Sequence, residues 1–130
     1  MILALDTSSK KISLALFWPK KLEKEISWLT KETSSELLPK IEWFLRKNGV
    51  KLKDLKAIAV FQGPGSFTGL RVGISVANTL GYSLKIPVFG FAGSQYQDNP
   101  LFMAKEVFER LKRKKVQVGN FAKPIYPPLK

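Results

Sequence analysis

Residues 56–84 read KAIAVFQGPGSFTGLRVGISVANTLGYSL, and the way this stretch divides decides the fold. Lys56–Phe61 is a short apolar run rich in β-branched and aromatic residues, closed by Gly63-Pro64-Gly65. That pattern predicts a buried strand running into a glycine-rich elbow. A helix is expected from about Ser66 to Ser83, with Ser66 and Thr68 both able to cap it, because a side-chain oxygen there accepts from amides the first turn leaves unpaired. Gly69, Gly73, Ala77 and Gly81 recur at every fourth position and form one row along this helix. Each helix-interior glycine costs about 1 kcal/mol against Ala, so the close approach of another backbone should compensate. The apolar and small positions cover roughly 220° at ~100° per residue, whereas a helix lying on one sheet needs little more than ~100°. Either the row seats the helix on its own sheet, or it admits a helix from a second chain.

Working outward, Met1–Asp6 reads as a buried strand ending in the polar turn Asp6-Thr7-Ser8-Ser9. Lys11–Trp18 alternates as a second strand, and Leu22–Leu29 returns as a third with charges on one face, near a sheet edge. A helix over Ser34–Lys47 carries Leu37, Leu38, Ile41, Phe44 and Leu45 on one face and stops at Asn48-Gly49. Trp43 lies opposite them beside Lys40 and Lys47, either as a partner contact or as a ring covered by lysine stems. Ile86–Phe91 is the fifth strand. The order β-β-β-α-β-α-β predicts an α/β fold: a three-stranded antiparallel meander joined by parallel crossovers into a mixed five-stranded sheet. Asn99 and Pro100 then open a helix that runs into Arg110-Leu111-Lys112-Arg113-Lys114-Lys115, and residues 116–130 are Pro-rich and aperiodic. Residues 1–92 are expected to form the domain, with 93–130 a residual helix and basic tail.

The chain of 130 residues has neither Cys nor His, which removes disulfides, thiolate and imidazole metal sites, and His-based triads. It has no apolar run long enough to span a membrane and no signal peptide, so a cytoplasmic protein is expected. Residues 100–130 hold 8 Lys/Arg against 2 Asp/Glu, half of the net charge of +12. Such asymmetry points to a polyanion, and Arg110, Lys112, Arg113, Lys114 and Lys115 are candidate tRNA contacts.

The elbow is no Walker A loop, since no Lys-Ser/Thr follows its last glycine, and its spacing is one residue too long for a dinucleotide fingerprint. It remains a candidate anion-binding loop in which Gly63, Gly65, Ser66 and Thr68 sit at a helix start, Arg71 assists, and Asp6, Thr7 and Ser8 contribute from the first turn. No paired carboxylates can be proposed from spacing.

MILALDTSS, TSSELLPKIEWFL, LKAIAVFQGPGSFTGLRVGISVANTL and IPVFG together resemble the bacterial TsaB (YeaZ) family of tRNA threonylcarbamoyladenosine biosynthesis, over residues 1 to about 92. The resemblance implies an actin/Hsp70/sugar-kinase-like (ribonuclease-H-like) half domain. It also implies a non-catalytic subunit that pairs with a catalytic TsaD-like subunit, joins a TsaE-like ATPase through the complex, and forms a homodimer in isolation. The two helices of this domain make the family's interface; here that suggests Leu37, Ile41, Trp43, Leu70, Gly73, Ile74, Ala77 and Gly81. Family members usually continue into a second domain, so the chain is expected to be truncated, to bind no metal, and to bind ATP poorly without the second wall of the cleft. Pro124-Ile125-Tyr126 is similar to the Pro-x-Tyr near the end of many family chains. The rival readings are a stand-alone homodimeric nucleotide-binding module and a peptidase.

Overall fold

The computed structural model describes residues 1–113. Three strands, β1 (Ile2–Asp6), β2 (Lys11–Trp18) and β3 (Leu22–Leu29), form the expected meander. They are followed by α1 (Thr33–Lys47), a 3₁₀ turn (Leu52–Asp54), β4 (Ala57–Gly63), α2 (Phe67–Leu84), β5 (Val88–Ala92) and α3 (Pro100–Arg113). The sheet order is β3-β2-β1-β4-β5, antiparallel across the first three and parallel from β1 to β4 to β5. The fold class read from the sequence is the one observed.

The central strands explain why their sequences are continuous apolar runs. Ile2, Leu3, Ala4 and Leu5 of β1, and Ala57 through Phe61 of β4, are fully buried whichever face they point to. Both faces are therefore covered, as in a doubly layered sheet. α2 packs on β4, β1 and β5, with α1 beside it, and α3 packs on β2, β1 and β4 from the other side. At the edge, β3 keeps Glu23, Lys24 and Glu25 exposed, charges that discourage pairing with another strand.

Several boundaries shift. β4 continues through Gly63, where a register irregularity against β5 and a φ of 123° bend the chain into the elbow. β5 begins at Val88, two residues later than expected. At α1, the Glu36 carboxylate reaches back to accept from the amides of Lys31 and Glu32, each at 3.1 Å. Pro39 falls in the second turn of α1. Residues 93–113 share the core of residues 1–92, since Met103, Ala104 and Val107 of α3 are fully buried. The candidate contacts Lys114 and Lys115, the Pro-rich stretch and Pro124-Ile125-Tyr126 lie outside the described residues.

Because α3 covers one face of the sheet through Met103, Ala104 and Val107, truncating one of these buried side chains should be felt globally. Met103→Ala is expected to lower the unfolding free energy by about 2–5 kcal/mol, measured by urea denaturation followed by far-UV circular dichroism.

Candidate functional site

The elbow and the turn after β1 meet at the carboxyl ends of β1 and β4, and the glycine row is what lets them meet. A Cβ at position 65 would stand 2.5 Å from the Cβ of Ser8. One at Gly69 would collide with the Thr7 carbonyl oxygen, and one at Gly73 with the Thr7 side chain. Further along, Gly81 lies against the Val88 side chain and the Ile86 carbonyl. The row therefore seats α2 on its own chain. This corrects the interface expected from the sequence: Leu37, Ile41, Leu70, Gly73, Ile74, Ala77 and Gly81 are all buried within this one chain and offer no side-chain surface to a partner. Trp43 alone of that set stays exposed, at 39%, with the Lys47 and Lys40 ammonium groups 4.8 and 5.3 Å from its ring centroid.

Asp6, Thr7, Ser8 and Ser66 of the candidate anion loop are brought together and hydrogen-bonded within the chain. The Ser66 amide donates to the Ser8 carbonyl at 2.7 Å, and the Thr7 hydroxyl donates to the Gly69 carbonyl at 2.6 Å. Ser66 Oγ caps α2 by accepting from the Gly69 amide at 3.5 Å. The buried Asp6 carboxylate accepts from the Ser8 amide (2.8 Å) through Oδ1 and from the Asp98 amide (2.6 Å) through Oδ2. Gly63 is buried in the bend, while Thr68 and Arg71 remain exposed. The Arg71 guanidinium sits 5.5 Å from the Phe67 ring centroid, a cation–π contact in place of an anion.

Asp98 is the residue the sequence did not single out. It adopts a left-handed backbone (φ 56°), which Asp tolerates better than most residues. That conformation presents its amide to Asp6 while its own carboxylate accepts from the Ser13 hydroxyl (2.6 Å) and the Lys11 ammonium (2.9 Å). Those two bonds, Ser13 first, hold its carboxyl below the ordinary range. A latch thus joins β1, β2 and the segment leading into α3. On α3 itself, Arg110 pairs with Glu106 (2.7 Å), Lys112 with Glu109 (3.2 Å), and Arg113 donates to the Glu109 carbonyl (3.3 Å).

With this geometry in view, the similarities fall into place. A family model described as TsaD, tRNA N6-adenosine threonylcarbamoyltransferase, matches residues 28–92, half of the chain. The chain is 35% identical over 123 residues to the tRNA threonylcarbamoyladenosine biosynthesis protein TsaB of Buchnera aphidicola (Schizaphis graminum), covering 95% of this chain and 56% of that one. The chain belongs to the TsaB/YeaZ family. It is 39% identical over 88 residues to TsaB of Bacillus subtilis, covering 67% and 38%. The solved structure of YeaZ from Pseudomonas aeruginosa superposes with a TM-score of 0.66 at 35% identity, covering 70% of this chain and 44% of that chain. The sheet and its three helices are the actin-like α/β fold of that family. The chain spans about half the length of the curated TsaB relatives it matches.

Two outcomes test the seat and the latch. Gly73→Ala is expected to cost about 1–3 kcal/mol of stability through overpacking against Thr7, while the exposed Ser75→Ala on the same helix changes it by less than ~0.5 kcal/mol, both read by urea denaturation. Because the folded-state pKa of Asp98 is depressed, its contribution is present above the ordinary value of 3.8 and lost as pH falls through the lowered value. Stability measured against pH should therefore fall less steeply in that acidic window for Asp98→Asn than for the unaltered chain.

Proposed function

We propose that this chain is a non-catalytic subunit of tRNA threonylcarbamoyladenosine biosynthesis that pairs with and stabilises a TsaD-like catalytic subunit. The observation that carries the reading is the closed elbow: a block shared with the threonylcarbamoyltransferase family is filled by the chain's own Thr7 and Ser8, with both Asp6 oxygens committed. A chain without His or Cys has few groups left for transfer or hydrolysis, so it acts on a partner rather than on a substrate. Ser66, the serine a peptidase reading would need, serves as a helix cap.

The pairing surface is the outer side of α1 and α2 in place of the buried glycine row. There α1 exposes Leu38 (41%) and Trp43, and α2 exposes Thr68, Ser75, Thr79 and Tyr82. A second copy of the chain occupies this surface when the TsaD-like subunit is absent, and a TsaE-like ATPase joins through the complex. ATP is left to the other subunits. Co-expression with a TsaD-like chain should yield a co-purifying pair whose tRNA-modifying activity falls when this chain is omitted. Leu38→Glu combined with Ser75→Glu should abolish pairing without unfolding the chain. Full modification in the absence of this chain would reject the proposal.

A further inference from the structure

The end of the sheet opposite the elbow carries a row of cations. Strand register places them: Ile2 pairs with Phe17 and with Ala57, Trp18 with Leu22, and Ile58 with Val88. The β2–β3 turn with Lys20 and Lys21, the Met1 end of β1, Lys56 before β4 and Lys85 before β5 therefore line one edge of the fold. Adjacent strands are ~4.8 Å apart, so the row from β2 to β5 spans roughly 14 Å. The Lys56 amide donates to the Met1 carbonyl at 2.7 Å, which ties β4's end of the row to β1's.

All four lysines are exposed. The ion pairs formed among the described residues use Lys11, Lys105, Arg110 and Lys112, and none of this row. The nearby Asp54 carboxylate accepts from the Lys51 amide. Burial above all, and then the Lys56 charge, lower the pKa of the Met1 ammonium to about 6, against Asp54, which raises it. Lys20 (φ 64°) and Lys85 (φ 56°) both occupy left-handed backbone, where Gly or Asn would be less strained. The C-terminal dipole of α2 accounts for a cation at 85, but Lys20, Lys21 and Lys56 adjoin strands, whose dipoles are small.

We propose that Lys20, Lys21, Lys56 and Lys85 form a contact surface for the phosphate backbone of RNA, the tRNA on which the assembly acts. The inference rests on the function proposed above for its choice of polyanion. A line of exposed, unneutralised ammonium groups matches a phosphate backbone, and the exposed Tyr82 beside Lys85 is a single ring rather than the belt of aromatics that anchors a membrane surface. It also moves the expected tRNA contact away from Arg110 and Lys112, which pair with Glu106 and Glu109 along α3.

The test is a fluorescence-anisotropy titration of labelled, unmodified tRNA with the full chain over a range of salt concentrations. Lys20→Asn, Lys21→Gln, Lys56→Gln and Lys85→Asn are combined, with Asn chosen to keep the left-handed positions comfortable; Lys112→Gln with Arg113→Gln is the control. The row variant should retain its unfolding transition, bind tRNA about tenfold or more weakly at ~0.1 M salt, and lose ~0.7 from the log–log salt slope for each phosphate contact removed. The control should stay within about twofold. Equal weakening by both variants, an unchanged salt slope, or binding to phosphatidylserine vesicles but not to tRNA would overturn the proposal. Partner-dependent modification with tRNA binding indifferent to the row would reject this surface alone. Row-dependent binding without any effect on a TsaD-like partner would reject the functional reading alone.

Discussion

Thr7 and Ser8, through backbone and side chain together, lie where side chains at positions 65, 69 and 73 would otherwise stand. This approach is the constraint on which the rest of the molecule depends. It fixes the first turn of α2 against the end of β1, and the Ser66–Ser8 and Thr7–Gly69 hydrogen bonds complete the seat. The conformational cost of glycine inside a helix is offset because only a backbone without Cβ atoms lets these groups reach bonding distance. The Asp6–Asp98 bond extends the same junction to the segment before α3, so the two faces of the sheet are tied at one point.

The functional consequences follow from where that junction sits. In open α/β sheets the carboxyl ends of the strands are the usual place for ligands, and here the ends of β1 and β4 are occupied by the chain itself. The proposed recognition surfaces therefore lie elsewhere: the outer side of α1 and α2, and the cationic row at the far end of the sheet.

The strands, the helices and their order were legible because buried β1 and β4 are uninterrupted apolar runs and the edge strand β3 carries its charges outward. The direction of the glycine row was not, because periodicity identifies a face of a helix without saying what lies against it; sequence distance hid Thr7 from Gly69 and Gly73. The wide apolar arc of α2 was real, yet Val72, Val76 and Leu80 spend it as half-buried packing against the molecule's own core. Asp98 escaped notice for a related reason: 92 residues separate it from Asp6, and Asp-Asn-Pro looks like an ordinary helix entry. The basic residues of α3 stood out in the sequence as a run, but helical spacing places Glu106 and Glu109 against them. The lysine row is scattered through the chain from 20 to 85 and only the strand register assembles it.

Amide hydrogen exchange on the chain at dilutions where it is monomeric tests the central claim most directly. The amides of Ser66 and Asp98 should exchange as slowly as those of β1 and β4, and be unchanged by ATP with Mg²⁺ or by a TsaD-like partner. Rapid exchange at either amide in the monomer, with protection gained only on association or nucleotide binding, would show that the elbow is completed from outside and contradict the account.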